Sequence, residues 1–164
     1  MSSAALTSAP LEPAGFAALA GVSRETLARL EAYAELLRQW SARINLVAAS
    51  TLPDLWQRHF LDAAQLLPLV PAGTRSLVDL GSGAGFPGLV LAVIGVRGVE
   101  LVEADARKCA FLREAARIAA APVAIHNARI ESMSPRAADV VTARAVAPLD
   151  RLLVLAERFI GERT

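Results

Sequence analysis

Cysteine occurs once in the 164 residues, at Cys109, so no internal disulfide can cross-link the chain, in keeping with a reducing compartment. Charge of one sign is not in excess: 17 basic side chains face 16 acidic ones, for a net charge of +1. That balance excludes a surface coated for non-specific nucleic-acid binding, so any RNA contact has to be local. Lysine is almost missing, since Lys108 is the one lysine and the other basic residues are arginines. The bias agrees with a GC-rich genome and also offers planar donors that suit phosphate. Long apolar runs are lacking too. Arg97, Glu100, Glu103 and Asp105 interrupt the most hydrophobic stretch, well short of the roughly 18 uncharged residues of a membrane-spanning helix. From Met1 to Leu30 no basic cluster precedes an apolar segment, so neither a secretory signal nor an Arg-rich transit peptide is read there. A soluble, cytoplasmic protein without a membrane partner is expected. What is abundant is aliphatic side chain: 54% of the residues are hydrophobic, enough for a compact core and incompatible with general disorder.

Residues 1–22 carry Pro10, Pro13, Gly15 and Gly21 among small residues and read as a mobile tail with at most a short turn of helix. Ser23 is placed as an N-cap. Beyond it Leu30, Tyr33, Ala34, Leu37, Trp40, Ile44 and Val47 recur in steps of three and four, the buried stripe of an amphipathic helix. A second helical pattern starts near Thr51 and carries Leu55, Trp56, Phe60, Ala63, Leu66 and Leu67 before Pro68 and Pro71 stop it. Residues 23–72 are thus a helical extension, and 73–164 form an α/β part that makes one globular unit with it. In the latter, strands are expected at Ser76–Leu80, Val99–Glu103, Val123–His126 and Val140–Thr142. Helices are expected at Phe86–Ile94, Arg107–Ala121 and Leu149–Ile160. Alternating strands and helices imply a parallel sheet with helices on both faces, whose ligands sit outside the carboxyl ends of the strands.

The first such turn, Val78-Asp79-Leu80-Gly81-Ser82-Gly83-Ala84-Gly85-Phe86-Pro87-Gly88, is a ligand loop, because alternating glycines let backbone approach a ligand without Cβ interference. Its Gly83 to Gly88 also matches G-x-G-x-x-G, so a dinucleotide has to be weighed. Two residues argue against one. A carboxylate at Asp79, under the loop, repels a pyrophosphate and attracts a cationic sulfonium ligand, although it could equally serve as a capping acceptor. Pro87 lacks the N–H that a pyrophosphate would take at the helix start. Both favour S-adenosylmethionine. Glu103, at the end of the next strand, is suited to the hydroxyls of an adenosine ribose, with Asp105 as a nearby competitor. His126 and Cys109 carry no assigned chemistry, and no Cys, His and acidic cluster has metal-ligand spacing.

With Arg43-Ile44-Asn45-Leu46, Arg58-His59-Phe60-Leu61-Asp62, the Asp79 to Gly88 loop, Phe111-Leu112-Arg113 and Thr142-Ala143-Arg144-Ala145-Val146-Ala147 in order, the chain resembles the bacterial glucose-inhibited division protein B family, also called ribosomal RNA small subunit methyltransferase G. The match runs from about Leu30 to Leu155. The resemblance implies a class I, Rossmann-like methyltransferase that moves a methyl group from S-adenosylmethionine to N7 of a guanosine in 16S ribosomal RNA; the near-neutral charge favours the assembled small subunit over naked RNA as substrate. Gly81, Phe86, Ile130, Glu131 and Arg144 are then expected at the cofactor, with Ile130 and Glu131 flanking the adenine, alongside Asp79, Gly83, Gly85 and Glu103 already read from the loop and strand ends. Arg144 stands where the target base enters, and Arg129, Asn45 and His59 match positions that matter for activity. Asp62, one turn from His59, could orient that ring. Guanine N7 already has an in-plane lone pair, so alignment suffices and no general base is expected.

Two departures from the family pattern stand out. Val47 replaces the usual Thr after Asn-Leu. Family members also continue beyond the helix near Ile160 with further strands, so the sheet is expected to be short at its C-terminal side and the Val140–Thr142 strand to be an open apolar edge. Two other readings stay open: a shortened protein that binds the cofactor or a partner without catalysis, and an NAD-dependent oxidoreductase, which Asp79 and Pro87 disfavour.

Overall fold

The computed structural model describes residues 9–164. Its elements run α1 (Pro13–Ala20), α2 (Arg24–Ser41), a π-helical turn (Trp56–Leu61) leading into α3 (Asp62–Ala64), β1 (Leu77–Leu80), α4 (Gly88–Val93), β2 (Val99–Glu103), α5 (Ala106–Ile118), β3 (Val123–Asn127), β4 (Val140–Ala143) and α6 (Leu149–Ala156). The strands are wholly parallel in the order β3-β2-β1-β4, with Leu77 opposite Val99 on one side and Val140 on the other. Among the described residues β4 pairs with β1 alone.

Strand alternation sorts the core into two layers. Leu77, Val99 and Leu101 face one side, where they meet buried residues of α2, α4 and α5 together with Trp56 and Phe60. Val78, Leu80 and Val102 face the other, against Ile130, Met133, Ala156 and Phe159. The first layer runs without a break from Phe16 and Leu30 to the sheet.

Local chemistry accounts for the helix boundaries. The Ser23 hydroxyl accepts from Thr26 N at 3.1 Å and starts α2. Asp105 starts α5 by accepting from the amides of Arg107 and Lys108 at 2.8 and 3.3 Å, which removes it from competition with Glu103. At the far end of α5, the Arg29 guanidinium of α2 donates to the carbonyls of Ala119 and Ala120 at 2.6 and 2.9 Å, satisfying orphan acceptors and closing that helix before the Ala121 expected from sequence.

Three stretches differ from the sequence reading. The helical stripe expected to continue through Ile44 and Val47 ends with α2 at Ser41, and those two residues lie in the turn that follows. Of the stretch expected as a mobile tail, residues 1–8 lie outside the described residues, but Pro13–Ala20 is a helix whose Phe16 is fully buried. The Phe16 ring stands 5.2 Å from Trp56 and 6.4 Å from Phe60, so burial against these two rings outweighs the local preference for coil. The second helical pattern winds as a π-helical turn over Trp56–Leu61, with Trp56, His59 and Phe60 buried, a geometry frequent at functional sites.

Candidate functional site

The chain reverses its direction of travel across the sheet between β1 and β4, and such switch points open a crevice at the carboxyl ends of the strands. A cavity of about 380 Å³ lies there, lined by the turns after all four strands: Gly81 after β1, Glu103 at the end of β2, Arg129, Ile130 and Glu131 after β3, and Val146 after β4. Gly81 has φ +62°, and a Cβ there would come within 2.7 Å of Val146 Cγ2. A side chain at 81 would therefore fill the floor of the cavity. Glu103 accepts from Gly83 N at 2.9 Å through Oε2 and from Asp105 N at 2.8 Å through Oε1. Each oxygen keeps a second lone pair for a ligand hydroxyl. Ile130 is buried and Glu131 exposed, its carboxylate 3.9 Å from Arg151.

Asp79 is placed differently from a ligand contact. It is fully buried beneath the loop, where its two oxygens accept from Gly88 N at 3.3 Å and from the Thr142 hydroxyl at 2.8 Å. Burial pushes its carboxyl up to about 6 against these hydrogen bonds and the field of Arg144, which pull the other way. It acts as the capping acceptor and as a charge behind the loop. Gly88 has to be glycine, since a Cβ would lie 2.6 Å from both Asp79 Cβ and Leu101 Cδ2.

Phe86 also turns away from the cavity. Its ring is buried and stacks on Tyr33 at 5.6 Å, with the edge of Phe60 at 5.2 Å. The Tyr33 hydroxyl donates to the Ala84 carbonyl, so α2 grips the loop from beneath. Gly83 is tied to Glu103 through its amide, and Gly85 lies against the Tyr33 hydroxyl. Only the backbone of this part of the loop can face a ligand.

Beside Phe86 a second group assembles. The Arg144 guanidinium lies 5.0 Å above the Phe86 ring, its Nη2 donates to His59 Nδ1 at 2.8 Å, and its Nη1 reaches Asp62 Oδ2 at 3.2 Å. Asp62 therefore holds Arg144 rather than the His59 ring. Burial first, and Arg144 second, bring His59 down to about 4, so the ring is neutral near pH 7. With Nδ1 occupied by a donor, it is no base. Asn45 is exposed in the turn after α2 and is not among the residues that line the cavity. Sequence reasoning missed Val146, Tyr33 and Thr51; Tyr33 was legible as a buried stripe residue, but nothing in its spacing pointed to the loop.

The sequence matches the family model of rRNA small subunit methyltransferase G (GidB) over residues 26–164. The chain belongs to that family. It is 68% identical over 133 residues to the ribosomal RNA small subunit methyltransferase G of Paramagnetospirillum magneticum, covering 81% of this chain and 65% of that protein. It is 58% identical over 160 residues to that of Rhodospirillum centenum, covering 98% and 74%. The chain thus spans about two thirds to three quarters of the length of these curated relatives. Among solved structures, a putative O-methyltransferase from Klebsiella pneumoniae superposes with TM-score 0.58 at 20% identity, covering 81% of this chain and 60% of that one. Coclaurine N-methyltransferase superposes with TM-score 0.54 at 16% identity, covering 92% and 55%. The fold of this methyltransferase G relative is therefore the Rossmann-like one of class I methyltransferases. No helix among the described residues is long and apolar enough to cross a membrane.

Proposed function

We propose that this chain binds S-adenosylmethionine in the cavity at the strand ends and transfers its methyl group to N7 of a guanosine in 16S ribosomal RNA, within the small subunit and in the cytoplasm. The observation that carries the reading is the coincidence of family membership with a cavity whose lining has the right chemistry at each position. The residues present fit the cofactor. The missing Cβ of Gly81 leaves room beside Val146, the free lone pairs of Glu103 suit ribose hydroxyls, and Ile130 with Glu131 offers an apolar wall and an acceptor for the adenine amino group. When bound, the cofactor supplies an electrophilic methyl on a positively charged sulfur.

The chain's own contribution is alignment. Guanine N7 needs no proton removed, and neutral His59, its Nδ1 engaged by Arg144, removes none. Arg144 offers planar donors to a phosphate or to the guanine O6 edge and so holds the nucleophile in line. Arg129, exposed on the cavity rim, supplies a donor for the RNA backbone, and exposed Asn45 contacts RNA beyond the cavity. The helical extension of residues 23–72 and the α/β part of 73–164 act as one unit.

Incubation with labelled S-adenosylmethionine and unmethylated small subunits, followed by mass-spectrometric mapping of the modified nucleotide, tests the reading. Label at N7 of a single guanosine is expected. Cofactor binding without transfer would instead identify a cofactor-binding protein that does no chemistry.

A further inference from the structure

The contacts of Arg144 continue past the imidazole. A guanidinium only donates, so His59 Nδ1, 2.8 Å from Arg144 Nη2, is the acceptor and carries no proton. The proton of the neutral ring is then on Nε2, which lies 2.8 Å from Thr51 Oγ1 and donates to it. The Thr51 hydroxyl in turn spends its own proton on the Ala48 carbonyl at 2.7 Å. Every donor has one acceptor along Arg144, His59, Thr51 and Ala48, so the chain of bonds has a single direction and a single tautomer. It ends on fixed backbone. The other side of the guanidinium is closed by Asp62 at 3.2 Å, the Arg58 carbonyl at 3.4 Å and the Phe86 ring.

We infer that Thr51 and His59 are positioning residues, which lock the imidazole tautomer so that Arg144 is presented to the guanosine in one orientation. This rests on the methyltransferase reading above. Thr51 does no chemistry; it keeps the Nε2 proton in place, and with it the lone pair on Nδ1 that Arg144 needs. Without the hydroxyl, the imidazole can take the other tautomer or turn, and Arg144 loses the acceptor on its Nη2 side. Misplacement of an aligning group by about 1 Å costs about 100-fold in rate.

The test compares wild type, Thr51→Val and Thr51→Ser. Valine keeps the shape and deletes the hydroxyl, whereas serine restores it. Three quantities are read: kcat and KM for transfer to small subunits, the dissociation constant of S-adenosylmethionine by calorimetry, and the nitrogen-15 NMR signals of the His59 ring and the Arg144 guanidinium. Thr51→Val is expected to lower kcat about 10- to 100-fold while cofactor affinity stays within about twofold, since no cofactor contact changes. Its Nη2 signal should shift and broaden as that side loses its acceptor, while the Nη1 side stays held by Asp62, and Thr51→Ser should recover both the rate and the signals. A kcat in Thr51→Val within about twofold of wild type, or unchanged guanidinium and imidazole signals, overturns the inference. If wild type itself transfers nothing, the methyltransferase reading fails, and the NMR signals still decide whether Thr51 holds Arg144.

Discussion

The backbone amide of Gly88 donates to the Asp79 carboxylate at 3.3 Å, across the nine-residue step that contains the whole glycine loop. A dinucleotide cradle leaves the first amides of its helix free for pyrophosphate. Here Pro87 has no amide to offer, and the next one is taken by an acid of the protein's own. The loop therefore presents a negative charge behind its backbone, which suits a cationic sulfonium and opposes paired phosphates.

Gly88→Ala should destabilise the fold by about 2 kcal/mol, because a Cβ 2.6 Å from Leu101 and Asp79 overpacks a rigid spot. Urea denaturation monitored by circular dichroism checks this. A midpoint equal to wild type would mean that the helix start is not seated on Asp79.

Acid should expose two opposed titrations. Asp79 is raised from 3.8 to about 6, so its contribution to stability is complete below 3.8 and lost as pH climbs through 6. His59 is lowered from 6.5 to about 4, so its contribution is present above 6.5 and lost as pH falls towards 4. Each shift corresponds to about 3 kcal/mol at most. Relative to wild type, Asp79→Asn should therefore gain stability from pH 4 to 6, and His59→Gln should lose it over the same range. Denaturant titrations at several pH values read these slopes, and parallel curves for either variant would contradict the assignment.

Arg144→Ala removes the donor that lies over Phe86 and against His59. Transfer should fall by about 100-fold or more, while cofactor binding and the fold persist, since Arg144 is absent from the cavity lining. Single-turnover assays alongside thermal melts separate the two effects. Wild-type turnover in the variant would exclude the aligning role.

Gly81→Ala and Gly21→Ala share a similar backbone strain, at φ +62° and +64°, but only the first meets a neighbour, Val146 at 2.7 Å. Both should lose about 1 kcal/mol. Only Gly81→Ala should also weaken S-adenosylmethionine binding, and Val146→Ala in the same chain should restore part of it. Equal cofactor affinity in the two single variants would place the cofactor elsewhere.

What was legible in the sequence is what short-range chemistry decides. Short apolar runs between helical patterns locate the four strands to within a residue or two, Ser23 declares itself as a cap, and counting places Glu103 at its strand end. Helix α1 was missed although Pro13 at its first position and Gly21 after its end are the usual punctuation, because its stability comes from Phe16 meeting Trp56, and no local pattern announces such a contact. The grouping of Arg144, His59 and Asp62 spans more than eighty residues of chain. It depends on a π-helical turn that rotates His59 inward, which no periodicity reveals. Asp79 is legible in the sequence as a charge beneath the loop, but the donors it satisfies become visible only once β4 delivers Thr142 beside it.

On the proposed function the pocket at the strand ends takes a positively charged methyl donor, and calorimetric titration of the wild-type chain with S-adenosylmethionine, and separately with NADH, decides between that ligand and a dinucleotide. Saturable heat with the sulfonium and none with the dinucleotide is the predicted result; binding of NADH with no response to S-adenosylmethionine would contradict it.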